Sequence, residues 1–429
     1  MEFRVGNFLS FKESVSFSMI SSSISEHSNS NVFDITNKLR LLKTSVVYGA
    51  NASGKSNLIK AMSFVKWFVF NSSKETQVKE NIQVTNFRLS SETEGEPSFF
   101  EIIFICDQKK FRYGFEVNKN RVCSEWLFFV PTRQEARLFT REDDRIEINK
   151  KYFAEGKNLE TKTRSNALFL SVVAQFNGKI ATQILEWFSR FNTISGLDDS
   201  SYMGFTIQQL DDEKFKEKFL QCLKIADFDI VDVETTRVTI HDLPEGMKLA
   251  LSGKGAKIEE IEQVTMSSHH RKYDQHKKLL PIDEKFDFEN EESEGTKKFF
   301  GLLGPILDTL DNGAILIIDE LDARLHPSIT RFIVDLFHSK QTNPSNAQLI
   351  FATHDTNLLT NKLFRRDQIW FTEKDTYGAT DLYSLVEYKN IISPKVRKDA
   401  SFEKDYIAGK YGAVPFIGNF ELLLGGRNE

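Results

Sequence analysis

The chain has 429 residues, 40% apolar and 27% charged, enough for two or three compact units with cores of their own. A net charge of −5 excludes a globally basic nucleic-acid binder and leaves only a local basic patch open. Three widely spaced cysteines (Cys106, Cys123, Cys222) exclude a disulfide framework and a zinc knuckle, and the opening MEFRVGNFLSF has no signal-peptide layout. No apolar run approaches about 18 residues, so a cytoplasmic protein without a membrane span is expected.

The first informative stretch is VVYGANASGKSNLIKA, residues 46–61. Val46, Val47 and Tyr48 read as a buried parallel strand, while Leu58, Ile59, Met62, Val65, Phe68 and Val69 fall on one helix face. Between them Gly49 to Ser56 spell G-x-x-x-x-G-K-S. Gly49 and Gly54 let the backbone curl around an anion, with successive amides from Asn51 to Asn57 turned inward at a helix N-terminus. Lys55 reaches the β- and γ-phosphates, and the Ser56 hydroxyl is a ligand for Mg2+. We read a P-loop here rather than an ordinary Gly/Ser turn, because strand and helix both carry the expected pattern. Its nucleotide-binding residues are Gly49, Asn51, Gly54, Lys55, Ser56 and Asn57.

Further on, SFFEIIFICD, KKFRYGFEV and RVCSEWLFFV predict a β-meander. From Ser165 to about Ala226 the pattern turns helical, and residues 228–288 return to strands with a hairpin ending in LPIDEKFDF. No sustained heptad repeat interrupts this, so the insertion is globular and carries the recognition surface. Within it, SSHHRKYDQHKK (267–278) gathers His269, His270 and His276 with Arg271, Lys272, Lys277 and Lys278. No paired carboxylate or cysteine stands at metal-ligand spacing. A solvated hairpin tip and a contact with nucleic acid or a partner both fit.

In ENEESEGTKKFFGLLGPILDTL (289–310), Phe299, Phe300, Leu303, Ile306, Leu307 and Leu310 predict a helix, kinked at Gly304-Pro305. Ser293, Glu294, Gly295 and Thr296 precede that stripe, and Ser293 with Thr296 can cap it. GAILIIDE (313–320) is a buried strand that delivers Asp319 and Glu320 at its carboxyl end, where Asp319 can orient Mg2+ and Glu320 can act as general base. Pro327 then opens a helix faced by Ile329, Phe332, Ile333, Leu336 and Phe337. AQLIFATHD ends a further strand in Thr353 and His354, a histidine placed to reach a γ-phosphate or to bond backbone in the interior.

This order of P-loop, acid pair and histidine resembles the ABC-type ATPases, in particular their SMC-like and OLD-like branch; VGNFLSF is also similar to the first hairpin of SMC-like heads. The resemblance implies an α/β fold: an ABC-type P-loop ATPase head with a mixed sheet, an antiparallel β-subdomain, a globular helical/β insertion and no long coiled coil. It implies three parts, an N-terminal ATPase lobe (1–164), the insertion (165–288) and a C-terminal lobe (289–429). It makes ATP and Mg2+ the ligands, Asp319 the Walker B metal ligand, Glu320 the catalytic glutamate, Asp322 the D-loop aspartate and His354 the switch histidine. Ser293 and Gly295 then belong to a signature segment, which departs from the usual leucine-serine-glycine-glycine-glutamine run. Two copies would clasp ATP between them as a homodimer or larger oligomer.

The C-terminal WFTEKD, LYSL and GKYGAVP stretches resemble stand-alone AAA-family ATPase subunits of bacterial phage-defence and abortive-infection loci (RloA-like). That likeness implies a separately encoded effector, a nuclease or toxin, and a phage protein or nucleic acid as trigger. Glu373 and Asp375 invite comparison with a Toprim nuclease, but no later D-x-D stands in a fitting place. The competing class is a DNA-repair or DNA-clamp ATPase related to the RecF and SMC branch.

Overall fold

The protein is described by a computed structural model covering residues 1–74, 80–240, 261–388 and 396–415. It divides into two compact units, one of Met1–Leu197, Thr309–Ala323 and Ile333–Glu429, the other of Asp198–Asp308 and Arg324–Phe332. These boundaries differ from the three expected segments 1–164, 165–288 and 289–429. The reason is a strand, β11 (Phe191–Ser195), inside the stretch read as helical: it pairs in parallel with β15 (Ile315–Asp319) and so ties the chain up to Leu197 to the first unit.

The first unit holds two large sheets. Strands β1 (Glu2–Gly6) and β2 (Val15–Ser18) join the meander β6 (Ser98–Cys106), β7 (Lys109–Val117), β8 (Val122–Val130), β9 (Ala136–Glu142) and β10 (Arg145–Ile148). Together they form one antiparallel sheet in the order β10-β9-β8-β7-β6-β1-β2. The other sheet takes β5 (Thr44–Tyr48), β16 (Gln348–Ala352), β17 (Ile369–Lys374) and β18 (Thr380–Ser384) in the order β11-β15-β16-β5-β17-β18. All its neighbours are parallel except the β17–β18 hairpin. Every residue of β5 and β16 is buried, as apolar parallel strands covered on both faces require. A small hairpin, β3 (Val32–Thr36) and β4 (Leu39–Leu42), completes the strands.

Helix α1 (Lys55–Asn71) buries all six residues of its expected stripe and Phe64 as well. Phe64 falls outside a single face because the helix is packed on more than one side. Its ring meets Phe8 at 5.7 Å and Phe100 at 5.0 Å, while Phe68 meets Phe115 at 5.5 Å. Much of the unusual phenylalanine content is spent on this core. Helices α2 (Phe169–Gln175) and α3 (Lys179–Ser189) pack beside it.

The second unit contains α4 (Ser200–Gln209), α5 (Glu213–Ile225), a three-stranded antiparallel sheet of β12 (Ile230–Ile240), β13 (Ile261–Tyr273) and β14 (Leu279–Asp287), and α6 (Phe288–Glu291). It also takes in most of α7 (Glu294–Asn312) and the first half of α8 (Pro327–His338). Pro305 sits inside α7, where it has no N–H for the carbonyl of Gly301. Thr206 of α4 supplies the missing donor, its hydroxyl bonding that carbonyl at 2.6 Å. Gly304 permits the approach, since a Cβ there would stand 2.8 Å from the Thr206 Cβ.

No helix among the described residues exceeds the 19 residues of α7, so no long coiled coil is present among them. Nor is any described helix long and apolar enough to cross a membrane.

Candidate functional site

Parallel strands put all their carboxyl ends on one edge of a sheet, and here that edge gathers the predicted chemistry. Strand β5 runs into the Gly49–Gly54 loop, β15 ends at Asp319 and Glu320, and β16, lying between them, ends at Thr353 and His354. Lys55 feels the charges of Asp319, Glu320 and Asp322, and His354 feels those of Lys55 and the same three acids. One site therefore holds Gly49, Asn51, Gly54, Lys55, Ser56, Asn57, Asp319, Glu320, Asp322 and His354.

The loop is a nest of amides held from outside. Ala52 adopts φ 62° and Gly54 φ 118°, and α1 begins with no side-chain cap and no acid in its first turn. Its first amides are thus left for an anion. A Cβ on Gly49 would stand 2.5 Å from the Thr372 carbonyl; one on Gly54 would stand 2.5 Å from the Thr380 hydroxyl. The strut behind the loop is Ser10 and Thr380: the Thr380 hydroxyl meets the Ser53 carbonyl at 2.8 Å and the Ser10 hydroxyl at 2.7 Å. Asn57 directs its amide to Ser10 at 2.7 Å, and Ser53 meets Thr372 at 2.6 Å. Asn51 is exposed.

Lys55 is buried, its ammonium bonding the carbonyls of Gly49 at 2.8 Å and Ala50 at 3.1 Å. Burial lowers its pKa, and the three acids pull it back up. Asp319 keeps one buried carboxylate oxygen, Oδ1, without a protein partner. An orphaned buried carboxylate oxygen on the edge that also carries Ser56 fits a hard cation such as Mg2+.

Glu320 follows with φ 54°, an αL turn that costs a non-glycine residue about 1–2 kcal/mol. Gly196, just after β11, makes the turn possible. Its amide bonds the Asp319 carbonyl at 2.6 Å, and any Cβ there would strike the Glu320 carbonyl. His354 is exposed, and its pKa is drawn down by partial burial and by Lys55. Asp322 accepts the His354 backbone amide at 3.3 Å. Tyr48, directly before Gly49, donates its hydroxyl to the Asp355 carbonyl at 3.0 Å and so ties the P-loop root to the histidine loop.

The matching family profile, over residues 45–360, is described as "AAA domain, putative AbiEii toxin, Type IV TA system", and it spans more than half of the chain. The chain belongs to this AAA-domain family. No curated protein matches it significantly. Among solved structures it is similar to the SMC head domain from Thermotoga maritima, at 11% identity, with 89% of this chain and 97% of that one covered and a TM-score of 0.41.

Ser293 and Gly295 of this AAA-domain protein lie in its second unit. The Ser293 hydroxyl accepts the Thr296 amide at 3.1 Å and meets the Thr296 hydroxyl at 2.8 Å, so it caps α7, and it remains exposed. The three histidines of 267–278 diverge: His270 meets Glu292 at 2.6 Å, His269 lies 3.5 Å from Glu234 and His276 is in the turn after Tyr273. No group of three or more His, Cys, Asp or Glu side chains placed to hold a metal occurs among the described residues.

Glu373 is bonded by the Tyr383 hydroxyl at 2.9 Å, and Asp375 accepts the amides of Tyr377 and Ala379 in the β17–β18 turn. The WFTEKD, LYSL and GKYGAVP stretches of the C-terminal resemblance all lie within the described residues. Sequence reading passed over Ser10, Gly196, Thr372 and Thr380. Nothing local marks them: Ser10 lies between β1 and β2, Gly196 follows β11, Thr372 is inside β17 and Thr380 opens β18.

Proposed function

We propose that the protein is an ATP-binding and ATP-hydrolysing switch subunit of an anti-phage defence system of the abortive-infection type. In this reading ATP joins two copies, and the closed dimer controls a separately encoded nuclease or toxin in answer to a phage protein or nucleic acid. The observation that carries the chemistry is the shared edge, with a glycine-rich amide nest and Lys55 on one strand end and Glu320 beside an orphaned Asp319 oxygen on another. The loop amides and Lys55 hold the triphosphate. Ser56 and Asp319 would hold Mg2+, which neutralises phosphate charge when bound. Glu320 takes a proton from the attacking water, and neutral His354 faces the γ-phosphate.

Ser293, Gly295 and Asp322 of a second copy complete the site in this proposal, so binding favours the dimer by mass action and hydrolysis releases it. The defence setting is supported by the family's association with a toxin–antitoxin system and by the C-terminal resemblance.

Glu320→Gln tests the chemistry: ATP binding should persist while hydrolysis slows about 10²–10⁴-fold, and Lys55→Ala should lose binding. Normal turnover by Glu320→Gln removes the assignment. The DNA-clamp class would instead show DNA-stimulated turnover and steeply salt-dependent DNA affinity. In the 267–278 segment Arg271 and Lys272 face the carboxylates of Asp229 and Glu284, while Lys277 and Lys278 are exposed, so part of its positive charge is neutralised locally.

A further inference from the structure

The bend at Ser293 poses an electrostatic problem for any triphosphate brought to it. Five acids, Asp287, Glu289, Glu291, Glu292 and Glu294, crowd the residues around it. Three turn to local partners: Asp287 caps α6, Glu291 accepts the Asp287 amide, and Glu292 takes Ser268 and His270. Glu294 stands in the bend itself and is exposed.

Arg324 answers that charge. Its guanidinium bonds Glu294 at 3.0 Å and pairs with Asp199, and its carbonyl lies 3.2 Å from where a Cβ on Gly295 would be. Each of its two carboxylates has a second cation. Asp199 also holds the fully buried Lys298 ammonium at 3.2 Å and the Tyr202 hydroxyl at 2.6 Å, and Glu294 holds Lys297 at 3.1 Å. Arg324, with 37% of its side chain exposed, can therefore leave without stranding a buried charge, whereas Lys298 cannot.

We propose that Arg324 is an anion-binding residue that acts in trans, exchanging Glu294 and Asp199 for phosphate oxygens of the ATP held by a second copy of this chain. The inference rests on the composite-site reading above. A planar guanidinium suits phosphate, and the exchange makes closure of the dimer depend on nucleotide.

The test is complementation. Arg324→Gln keeps an amide for Glu294 and Asp199, so a merely structural role survives it. It should still bind trinitrophenyl-ATP and hydrolyse ATP about 10- to 100-fold more slowly. Co-expressed under a second tag with Lys55→Ala, it should form mixed dimers in which one site has an intact P-loop and an intact facing Arg324. With random pairing the mixture should recover about a quarter of the wild-type rate. Lys55→Ala with Gly295→Asp is the parallel pair. Recovery there but not with Arg324→Gln overturns the role of Arg324 and leaves the composite site standing. No recovery in either pair overturns both, and full activity of Arg324→Gln alone overturns the proposal at once.

Discussion

Gly54 shows how narrowly the Gly49–Gly54 loop is made. Its φ of 118° favours glycine, and its missing Cβ leaves room for the Thr380 hydroxyl and methyl, which a Cβ would meet at 2.5 and 2.6 Å. Gly54→Ala should thus abolish ATP binding, measured by titration calorimetry, while thermal unfolding moves only a few degrees. A variant that binds ATP normally would show that the strut of Ser10 and Thr380 does not set the loop. The glycine and the lysine were readable from spacing, because their chemistry is local. Ser10 and Thr380 were not, since they come from distant parts of the chain and act only by being pressed against Ser53 and Asn57. The same holds for Gly196, whose need for no side chain is created entirely by the Glu320 carbonyl.

Among the elements, helix α7 is the one whose stability depends most visibly on a neighbour. Its stripe of Phe299, Phe300, Leu303, Ile306, Leu307 and Leu310 is fully buried, as its periodicity predicts. Its proline would nevertheless leave the Gly301 carbonyl unpaired in the interior, a loss of about 1–3 kcal/mol, if Thr206 were absent. Thr206→Val should cost about that much in denaturant unfolding. In a Pro305→Ala background the restored N–H reaches Gly301, and the same change should cost clearly less. Equal costs in both backgrounds would separate Thr206 from Pro305. Strand β11 teaches the complementary point. FNTIS is too short and too mixed in pattern to declare itself between helices, and only the exposed edge of β15 makes it a strand.

For the whole molecule, the pH dependence of stability has a legible source in His338. It is buried, and the Thr44 hydroxyl meets its Nε2 at 2.7 Å while Gln368 donates to Thr44. Burial, with Lys43 nearby, lowers its pKa to about 3. The unfolded chain, with an ordinary histidine near 6.5, then binds more protons than the folded one between those values. Stability is whole above the unfolded value and falls with pH below it, by about 2 kcal/mol at pH 5. His338→Gln should flatten that slope in urea titrations at pH 7 and 5, and an unchanged slope would assign it elsewhere.

The patterns along the chain were enough for the meander, the parallel strands, α1, α7 and the place of the glycine-rich loop, the acid pair and the histidine at strand ends, because hydrophobic period and backbone-compatible residue types are local properties. Which strands became neighbours, that Glu320 takes an αL turn, and that Arg324 faces Glu294 were decided only by folding. Those facts depend on atoms far apart in sequence excluding or charging the same small volume.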